Sequence, residues 1–345
     1  MSKQSLKDKT MEIKIYAPVL ITTLNRYEHF KRCLESLEKC SGADKTDVYV
    51  ALDYPPSDKY VEGWKKIDEY LHRKEVDNGF QHLNVIRRDH NYGISEFVSS
   101  NYGRLLYDEI YDKYEAFIST EDDNIFSPNF LEYINQGLEA YKDDENCVGV
   151  CGHNFVDFNI QNYSSNIYLS HEYSAWGVGT WSSKNKYLNE YLTLEYAKSI
   201  MNSWKKIWVL YKHEPRILNT VLLNLAINRA FGDTMTVCYQ YLENKYSVFP
   251  TYSKVKNIGF DGSGTSIFTN DDIHENQPID QGKTFCMDNV DRIVYPDVQK
   301  QIENLKWFKR SRLLNIVIFI RVLLYYFLKI DILYFEQKRR NKNLF

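Results

Sequence analysis

The chain has 345 residues and a mass of 40.9 kDa, enough for one large domain or two small ones with a sizeable core. Its formal net charge of −3 argues against general nucleic-acid binding, which needs a basic surface. The six cysteines show no CxxC pair or framework spacing, so we expect reduced, mostly buried thiols. The first residues show no apolar signal core, and we therefore expect a cytoplasmic protein.

Short apolar runs alternate with amphipathic patterns along the first 152 residues. This alternation predicts an α/β fold with a mostly parallel sheet covered on both faces. The predicted strands are 14–23, 47–53, 82–88, 115–120 and 147–152. The predicted helices are 29–40, 59–76, 96–114 and 128–144, the last with Pro128 in its first turn and Ser127 as its cap. Further helices are expected near 195–211 and 216–230, followed by a polar, glycine-containing coil at 257–272.

Polar residues follow three of the predicted strands. Ligands of such sheets bind beyond the carboxyl ends of the strands, so these residues are candidates for a binding site. They are Thr22, Thr23, Asn25 and Arg26 after the first strand, Asp53 at the end of the second, and Glu121, Asp122 and Asp123 after the fourth. Adjacent carboxylates suit a hard divalent cation that also binds phosphates, although such acids also occur on solvated loops.

Four ordered segments resemble the nucleotide-sugar glycosyltransferases of the GT-A, Rossmann-like fold. ISTEDDNIFSPNFLEY (118–133) resembles the Glu-Asp-Asp form of their DXD motif, and APVLITTLNRYEHFKRCLESL (17–37) resembles their first strand and helix. YSAWGVGTW (173–181) looks like their acceptor-side Trp-Gly motif, and NIGFDGSGT (257–265) is similar to another recurring segment. The resemblance covers roughly residues 14–270 and is strongest to bacterial glycan (capsule or O-antigen type) transferases and the N-acetylglucosaminyltransferase I type.

The resemblance implies roles for individual residues on the donor side. Asp123 would bind the metal, Mn²⁺ or Mg²⁺, while Glu121 and Asp122 would face the ribose and the donor sugar. Asp53 would accept a hydrogen bond from the base, and Arg26 would lie near the nucleotide with the help of Thr22 and Thr23. Arg88 and His90 would approach the diphosphate. Ordinary surface charge is the alternative for Arg88 and His90, and a turn-starting acid is the alternative for Asp53.

The resemblance also implies an inverting reaction with a catalytic base, Asp233, in the interval between the Trp-Gly and glycine-rich segments. Many members carry Trp before this Asp, whereas this chain has Gly232; a helix cap is the alternative role. Glu214 and Asp261 are the other candidates for the base. Trp176, Gly177 and Trp181 would form the acceptor side, with core packing as the alternative for both tryptophans.

The resemblance and the composition together divide the chain into three parts. A polar tail is expected at 1–11, a glycosyltransferase domain at 12–297, and a basic, amphipathic extension at 298–345. Within the domain, 12–152 would be the nucleotide-sugar half and 153–297 the acceptor half. The extension is apolar from Leu313 to Phe335 but carries Arg321, so we expect helices lying on the inner face of the membrane and not a span. The alternative is a helix packed on the domain or on a second subunit.

The leading hypothesis is a metal-dependent, inverting hexosyl- or N-acetylhexosaminyltransferase that uses a nucleotide sugar, above all a UDP-sugar. Its acceptor would be a glycan or lipid-linked molecule of bacterial polysaccharide synthesis. A sugar-phosphate nucleotidyltransferase would need a glycine-rich loop after the first strand, where this chain has ITTLNRYEH. A non-catalytic nucleotide- or glycan-binding protein on the same scaffold is the other alternative.

Overall fold

The computed structural model describes residues 16–94, 97–155, 163, 165–262, 274, 276–287, 291–305 and 311–334. The strands among these residues are β1 (Val19–Thr23), β2 (Asp47–Leu52), β3 (His82–Arg87), β4 (Ala116–Glu121), β5 (Asn124–Phe126), β6 (Cys147–Cys151), β7 (Ile167–Ser170), β8 (Val178–Trp181), β9 (Tyr246–Pro250) and β10 (Val255–Asn257). The α-helices are α1 (Tyr27–Glu38), α2 (Asp58–Val76), α3 (Asn101–Leu105), α4 (Phe130–Ala140), α5 (Ser182–Leu188), α6 (Leu194–Met201), α7 (Trp204–His213), α8 (Pro215–Ile227), α9 (Gly232–Leu242), α10 (Pro296–Glu303) and α11 (Arg312–Leu328).

Eight strands form one sheet in the order β3-β2-β1-β4-β8-β6-β9-β7, while β5 and β10 form a separate antiparallel ribbon. The pairings β1·β2, β1·β4, β2·β3 and β6·β9 are parallel. The antiparallel pairings of this sheet all involve β7 or β8. The predicted fold class, an α/β fold with a mostly parallel sheet flanked by helices, is confirmed.

The parallel strands bury side chains on both faces, because successive residues of a strand point to opposite sides. Val19 and Ile21 of β1 pack in the same core as residues of α1, α2 and α4. Leu20 of β1 and Tyr49 of β2 pack on the other face, against the segment that contains α3. Burying each such side chain stabilises the fold by about 1.5–3 kcal/mol. Because both faces of these strands are buried, their sequences are continuous apolar runs.

A second core joins the helices of the later half of the chain. Leu210 of α7, Leu218 of α8 and Met235 of α9 are buried together, and α11 contributes Ile318 and Val322. This core fixes the start of α9 relative to the sheet, because β6 adds Val148 to the same cluster.

The helix predicted at 96–114 is much shorter in the structure. Residues 95–96 lie outside the described part of the chain, and α3 covers only Asn101–Leu105 before a π-turn at Leu106–Ile110. The Ser100 hydroxyl oxygen accepts a hydrogen bond from the backbone N–H of Gly103 at 3.1 Å and so caps α3 there. The prediction of one long helix was therefore wrong.

The cap predicted for the helix after the acids was also wrong. Asn129 and not Ser127 is the N-cap residue of α4, which begins at Phe130 and ends at Ala140. The hydroxyl of Ser127 instead donates a hydrogen bond to Asn129 Oδ1 at 2.9 Å. Pro128 consequently lies just before the helix.

The C-terminal helix α11 packs one face on the protein. Ser311 caps it, accepting from the backbone N–H of Leu314 at 3.2 Å. Arg321, the charge in the middle of the apolar run, is fully buried; its Nε donates to Asp331 at 2.7 Å and its Nη1 donates to Asn219 of α8. The opposite face is apolar and exposed. Among the helices that the structure describes, none has the length and apolarity to cross a membrane.

Candidate active site

A cleft of about 640 Å³ opens at the carboxyl edge of β1 and β4. Parallel pairing brings these strand ends together and places Thr22 directly beside Glu121. The sheet side of the cleft is lined by Thr22, Ser119, Thr120 and Glu121. The facing wall comes from the later half of the chain and includes Tyr173, Arg229, Phe231, Gly232, Asp233 and Thr234.

Asp233 lies in the first turn of α9, on the wall that faces Glu121. Phe231 is the N-cap residue and makes no side-chain capping bond, and no hydrogen bond from a described group reaches the Asp233 carboxylate. Protein atoms around the carboxylate raise its pKa to about 6. Asp233 is therefore mostly ionised at neutral pH and free to accept a proton from a molecule in the cleft.

Glu121 ends β4 and reaches the solvent of the cleft. The surrounding protein, together with the negative charges of Asp123 and Asp233, raises its pKa to about 8. Both carboxyl groups line the cleft. The pKa of Glu121 is raised further than that of Asp233, a difference found in sites that divide acid and base roles between two carboxyls.

Asp122 and Asp123 are buried behind the cleft, where Arg26 binds both of them. Arg26 Nη2 forms ion pairs with an oxygen of Asp122 and with Asp123 Oδ2, the latter at 2.8 Å. Thr23 Oγ1 donates to Asp122 at 2.8 Å, and Asn257 Nδ2 donates to Asp123 Oδ1 at 2.6 Å. Although burial acts to lower it, the pKa of Arg26 is raised by the two carboxylates, so the guanidinium charge is permanent.

Gly259 closes this buried cluster from the side of the glycine-rich segment. A Cβ at this position would collide with Asp123 Oδ2 and would come within 3.1 Å of an Arg26 nitrogen. The backbone N–H of Ile258 donates to the Asp123 carbonyl at 2.8 Å. This close approach explains a glycine at 259. Of the segment NIGFDGSGT, residues 263–265 lie outside the described part of the chain.

The oxygen donors of the acid cluster suit a hard divalent cation in chemical type, since carboxylate and amide oxygens are its preferred ligands. The described residues contain no group of three or more His, Cys, Asp or Glu side chains arranged to hold a metal. A cation on a nucleotide diphosphate needs only one or two protein carboxylates. Asp123 supplies one such carboxylate, and its Oδ2 is ion-paired with Arg26.

The remaining predicted donor residues lie around the same sheet edge. The Asp53 carboxylate accepts from the backbone N–H groups of Tyr92 and Gly93 at 2.9 and 2.8 Å, and thereby holds the loop after β3. Arg88 donates from Nε to Asn101 Oδ1 at 2.9 Å. His90 is exposed and packs its ring on Tyr92. None of Asp53, Arg88 and His90 lines the 640 Å³ cleft.

The structure separates the predicted acceptor-side residues. Trp176 packs edge-on against His153 and Phe260, beside the glycine-rich segment. Gly177 has φ +68°, in the left-handed region that favours glycine, so it allows the turn before β8. Trp181 lies at the far end of β8 next to Ala116 in the register, only 7% exposed and covered by Lys184. The site is therefore assembled without Trp181, which packs in the core.

Of the other candidates for the base, Glu214 lies in a neighbouring cavity and Asp261 forms an ion pair with His29 at 3.2 Å.

Sequence reasoning missed Arg229, which is the one basic residue among the described residues that line the cleft. It precedes Asp233 by four residues in NRAFGD, and its guanidinium lies over the Phe231 ring at 5.5 Å. Among the described residues no carboxylate forms an ion pair with it, and burial lowers its pKa. The position of Arg229 in the same short stretch as the candidate base was the feature of the sequence that could have identified it.

Comparisons with known proteins give distant likenesses. No protein-family model and no curated protein matches the sequence. Among solved structures, S. aureus TarS 1–349 matches with a TM-score of 0.41 and 12% identity over 95% of this chain and 79% of that chain. The same protein in complex with UDP-GlcNAc gives a TM-score of 0.37 and 13% identity over 51% of this chain and 48% of that chain. The mannosyltransferase PcManGT from Pyrobaculum calidifontis in complex with GDP-Man and Mn²⁺ gives a TM-score of 0.32 and 11% identity over 52% of this chain and 47% of that chain. The chain thus spans about half the length of the last two structures, and these likenesses assign no family.

Proposed function

We propose that this protein is a glycosyltransferase that moves a sugar from a nucleotide sugar to an acceptor hydroxyl. The observation that carries the proposal is the position of the Asp233 carboxyl group, which lines the same cleft as Glu121 at the sheet edge. Burial raises the pKa of Asp233 to about 6. A general base works best with a pKa near the working pH. The four sequence segments that resemble GT-A transferases support the same class, and the sheet has the fold class that they imply.

In the proposed reaction Asp233 takes the proton of the acceptor hydroxyl. The acceptor oxygen then attacks the anomeric carbon of the donor, and the bond from that carbon to the diphosphate oxygen breaks. The nucleoside diphosphate leaves with the bonding electrons. Because the base and the leaving group lie on opposite sides of the sugar, this reaction inverts the anomeric configuration.

The donor is proposed to be a UDP-sugar that carries a hexosyl or N-acetylhexosaminyl group. Thr22 offers a hydroxyl at the sheet edge, and the Arg229 guanidinium offers a positive charge for the diphosphate. Glu121, whose pKa is raised by burial, would repel the phosphates less than an ordinary carboxylate. In this proposal residues 12–152 hold the donor and residues 153–297 hold the acceptor.

Dependence on Mn²⁺ or Mg²⁺ is part of the proposal, with Asp123 as the protein ligand. When bound, the ion offsets the charge that develops on the departing diphosphate. Arg26 holds Asp122 and Asp123 in place through ion pairs, and Asn257 orients the Asp123 carboxylate by a hydrogen bond.

Calorimetry with a panel of nucleoside diphosphates and nucleotide sugars tests the donor proposal. We expect UDP or a UDP-sugar to bind more tightly with Mn²⁺ than without it, and Arg229→Gln to weaken that binding about tenfold, equivalent to about 1.4 kcal/mol. Arg73→Gln, a change at an exposed position on α2, is the matched control and should leave affinity unchanged. If no nucleotide of the panel binds, or if metal has no effect on the nucleotide that does, the proposal of a metal-dependent transferase is wrong.

We also propose that α11 rests on an anionic membrane surface, where a lipid-linked acceptor of bacterial polysaccharide synthesis would be found. The outer face of α11 exposes Leu313 (73%), Ile316 (53%), Ile320 (47%) and Phe327 (71%). Trp204 of α7, 38% exposed, contacts the ring of Phe319 beside them. Apolar side chains with interfacial tryptophan and flanking basic residues favour the bilayer surface. Of the flanking basic clusters 309–312 and 338–342, only Arg312 belongs to the described residues.

Flotation with phosphatidylglycerol-containing vesicles measures this contact. We expect wild-type protein to float with the vesicles, and Ile316→Glu with Ile320→Glu to reduce the bound fraction at least tenfold, because two charges would enter the apolar layer. Val76→Glu, at an 88% exposed apolar position on α2, is the matched control. Equal binding of all three proteins would disprove a membrane role of α11.

A further inference from the structure

A second cavity of about 360 Å³ lies next to the donor cleft and shares Tyr173, Asp233 and Thr234 with it. We call it the Glu214 chamber. Its other lining residues include Glu172, Glu214, Arg216 and Thr220. Asp233 thus stands between the two cavities and is accessible from both. A molecule in the Glu214 chamber would approach Asp233 from the side away from the sheet.

Two buried carboxyl groups form one wall of the Glu214 chamber. Glu172 follows β7 and is 2% exposed, and Glu214 precedes α8 and is 3% exposed. Tyr241 donates its hydroxyl proton to Glu172 Oε1 at 2.8 Å, and Arg216 donates from Nε to Glu214 Oε1. Within the described residues, Glu214 Oε2 is buried without a donor.

Glu172 and Glu214 line the same cavity, and Glu214 Oε2 is left there to accept a hydrogen bond from a ligand. Burial, reinforced by the Glu214 charge, raises the pKa of Glu172 well above its usual value, and burial also raises the pKa of Glu214. Both shifts reduce the negative charge of the pair. Carboxyl oxygens that line a cavity suit the hydroxyl groups of a sugar or polyol, which both donate and accept hydrogen bonds.

The charge of the Glu214 chamber selects against anions. The guanidinium of Arg216 is already paired with Glu214, and Asp233 adds a negative charge where the chamber meets the cleft. A phosphate or carboxylate in the chamber would face uncompensated negative charge in a poorly solvated space. The ring of Tyr173 and the side chains of Ile217 and Val237 supply apolar wall for the C–H faces of a sugar.

We infer that the Glu214 chamber is the acceptor subsite and that it takes a neutral, polyhydroxylated unit, a sugar or polyol without a phosphate or carboxylate on that unit. Glu172 and Glu214 bind adjacent hydroxyls and direct a further hydroxyl toward Asp233. This inference rests on the proposed transferase function.

Saturation-transfer NMR of the full chain in the presence of UDP tests the inference. The probes are methyl glucoside, methyl N-acetylglucosaminide, ribitol and, as the anionic comparison, glucose 6-phosphate. We expect at least one neutral probe to bind with a Kd in the millimolar range, roughly 4 kcal/mol of binding free energy, and glucose 6-phosphate to bind at least tenfold more weakly. Glu214→Gln should weaken binding of the neutral probe at least tenfold, because the amide keeps its oxygen on Arg216 and places a donor where Glu214 Oε2 accepts.

Thr220→Trp provides a second variant that fills the chamber from α8 without changing either carboxyl. It should abolish binding of the neutral probe while UDP affinity, measured by calorimetry in parallel, stays within about twofold. Glu190→Gln, at an exposed position, is the matched control. Unchanged probe binding in Thr220→Trp, tighter binding of glucose 6-phosphate, or no neutral probe bound to wild type would overturn the inference. Loss of UDP binding to the wild-type protein would instead count against the proposed function, so the two failures are distinguishable.

Discussion

Replacing Asp233 by asparagine should lower kcat by about 10²–10⁴-fold, the usual contribution of a positioned general base. The change keeps the shape of the side chain and removes only its ability to take a proton. Affinity for UDP should stay within about twofold, since Arg229 and Thr22 on the cleft walls remain. Steady-state transfer assays and calorimetry on the same preparation measure the two quantities.

The pH profile of kcat/KM tests the same assignment. We expect activity to rise with pH through about 6, as Asp233 loses its proton and becomes a base. Glu121→Gln should keep this acid limb, because Asp233 is unchanged. Full transfer and donor hydrolysis by Asp233→Asn would show that another group is the base. Absence of both reactions in the wild-type protein would indicate a binding module.

Replacing Arg26 by methionine should lower the free energy of unfolding by about 3–5 kcal/mol, the cost of leaving a buried charge without its partner. Arg26 is the described cation that binds both Asp122 and Asp123, each of which is only 6% exposed. Urea denaturation at neutral pH measures the change. Arg104→Gln, which breaks an exposed pair with Asp108, should cost less than about 1 kcal/mol.

Divalent metal should act differently on the two Arg26 proteins. In Arg26→Met the two carboxylates lack a counter-charge. Mn²⁺ at about 1 mM, a concentration suited to a weak site with one carboxylate ligand, should therefore raise the melting temperature of the variant more than that of the wild-type protein. Such a result would place a cation at the position of the guanidinium. An equal response of both proteins would indicate that metal does not reach Asp123.

The elements of the parallel half could be predicted because their signals are local. The apolar runs of β1, β2 and β4 and the amphipathic patterns of α1 and α2 each specify one element, and short connections leave few ways to join them. The position of the acids at the end of β4 followed from the same pattern.

Contacts between distant segments could not be predicted. Arg26 and Asp122 are 96 residues apart, and Asn257 and Asp123 are 134 apart, so no periodicity links them. The antiparallel insertion of β8 beside β4 reverses the direction of the Trp-Gly segment and sends Trp181 to the far end of the sheet. The roles of Asp233, Arg229 and the acids stay predictions until the assays above are done.

The ribbon of β5 and β10 has a consequence for biosynthesis. The turn that carries Asp122 and Asp123 gains its amide partner and its covering glycine from residues 257 and 259. A ribosome must therefore have released about three quarters of the polypeptide before this turn can reach its final form, even though β1 and β4 lie far upstream. During that interval the turn with Asp122 and Asp123 lacks its contacts with residues 257 and 259, although the apolar strand β4 before it has already been synthesised.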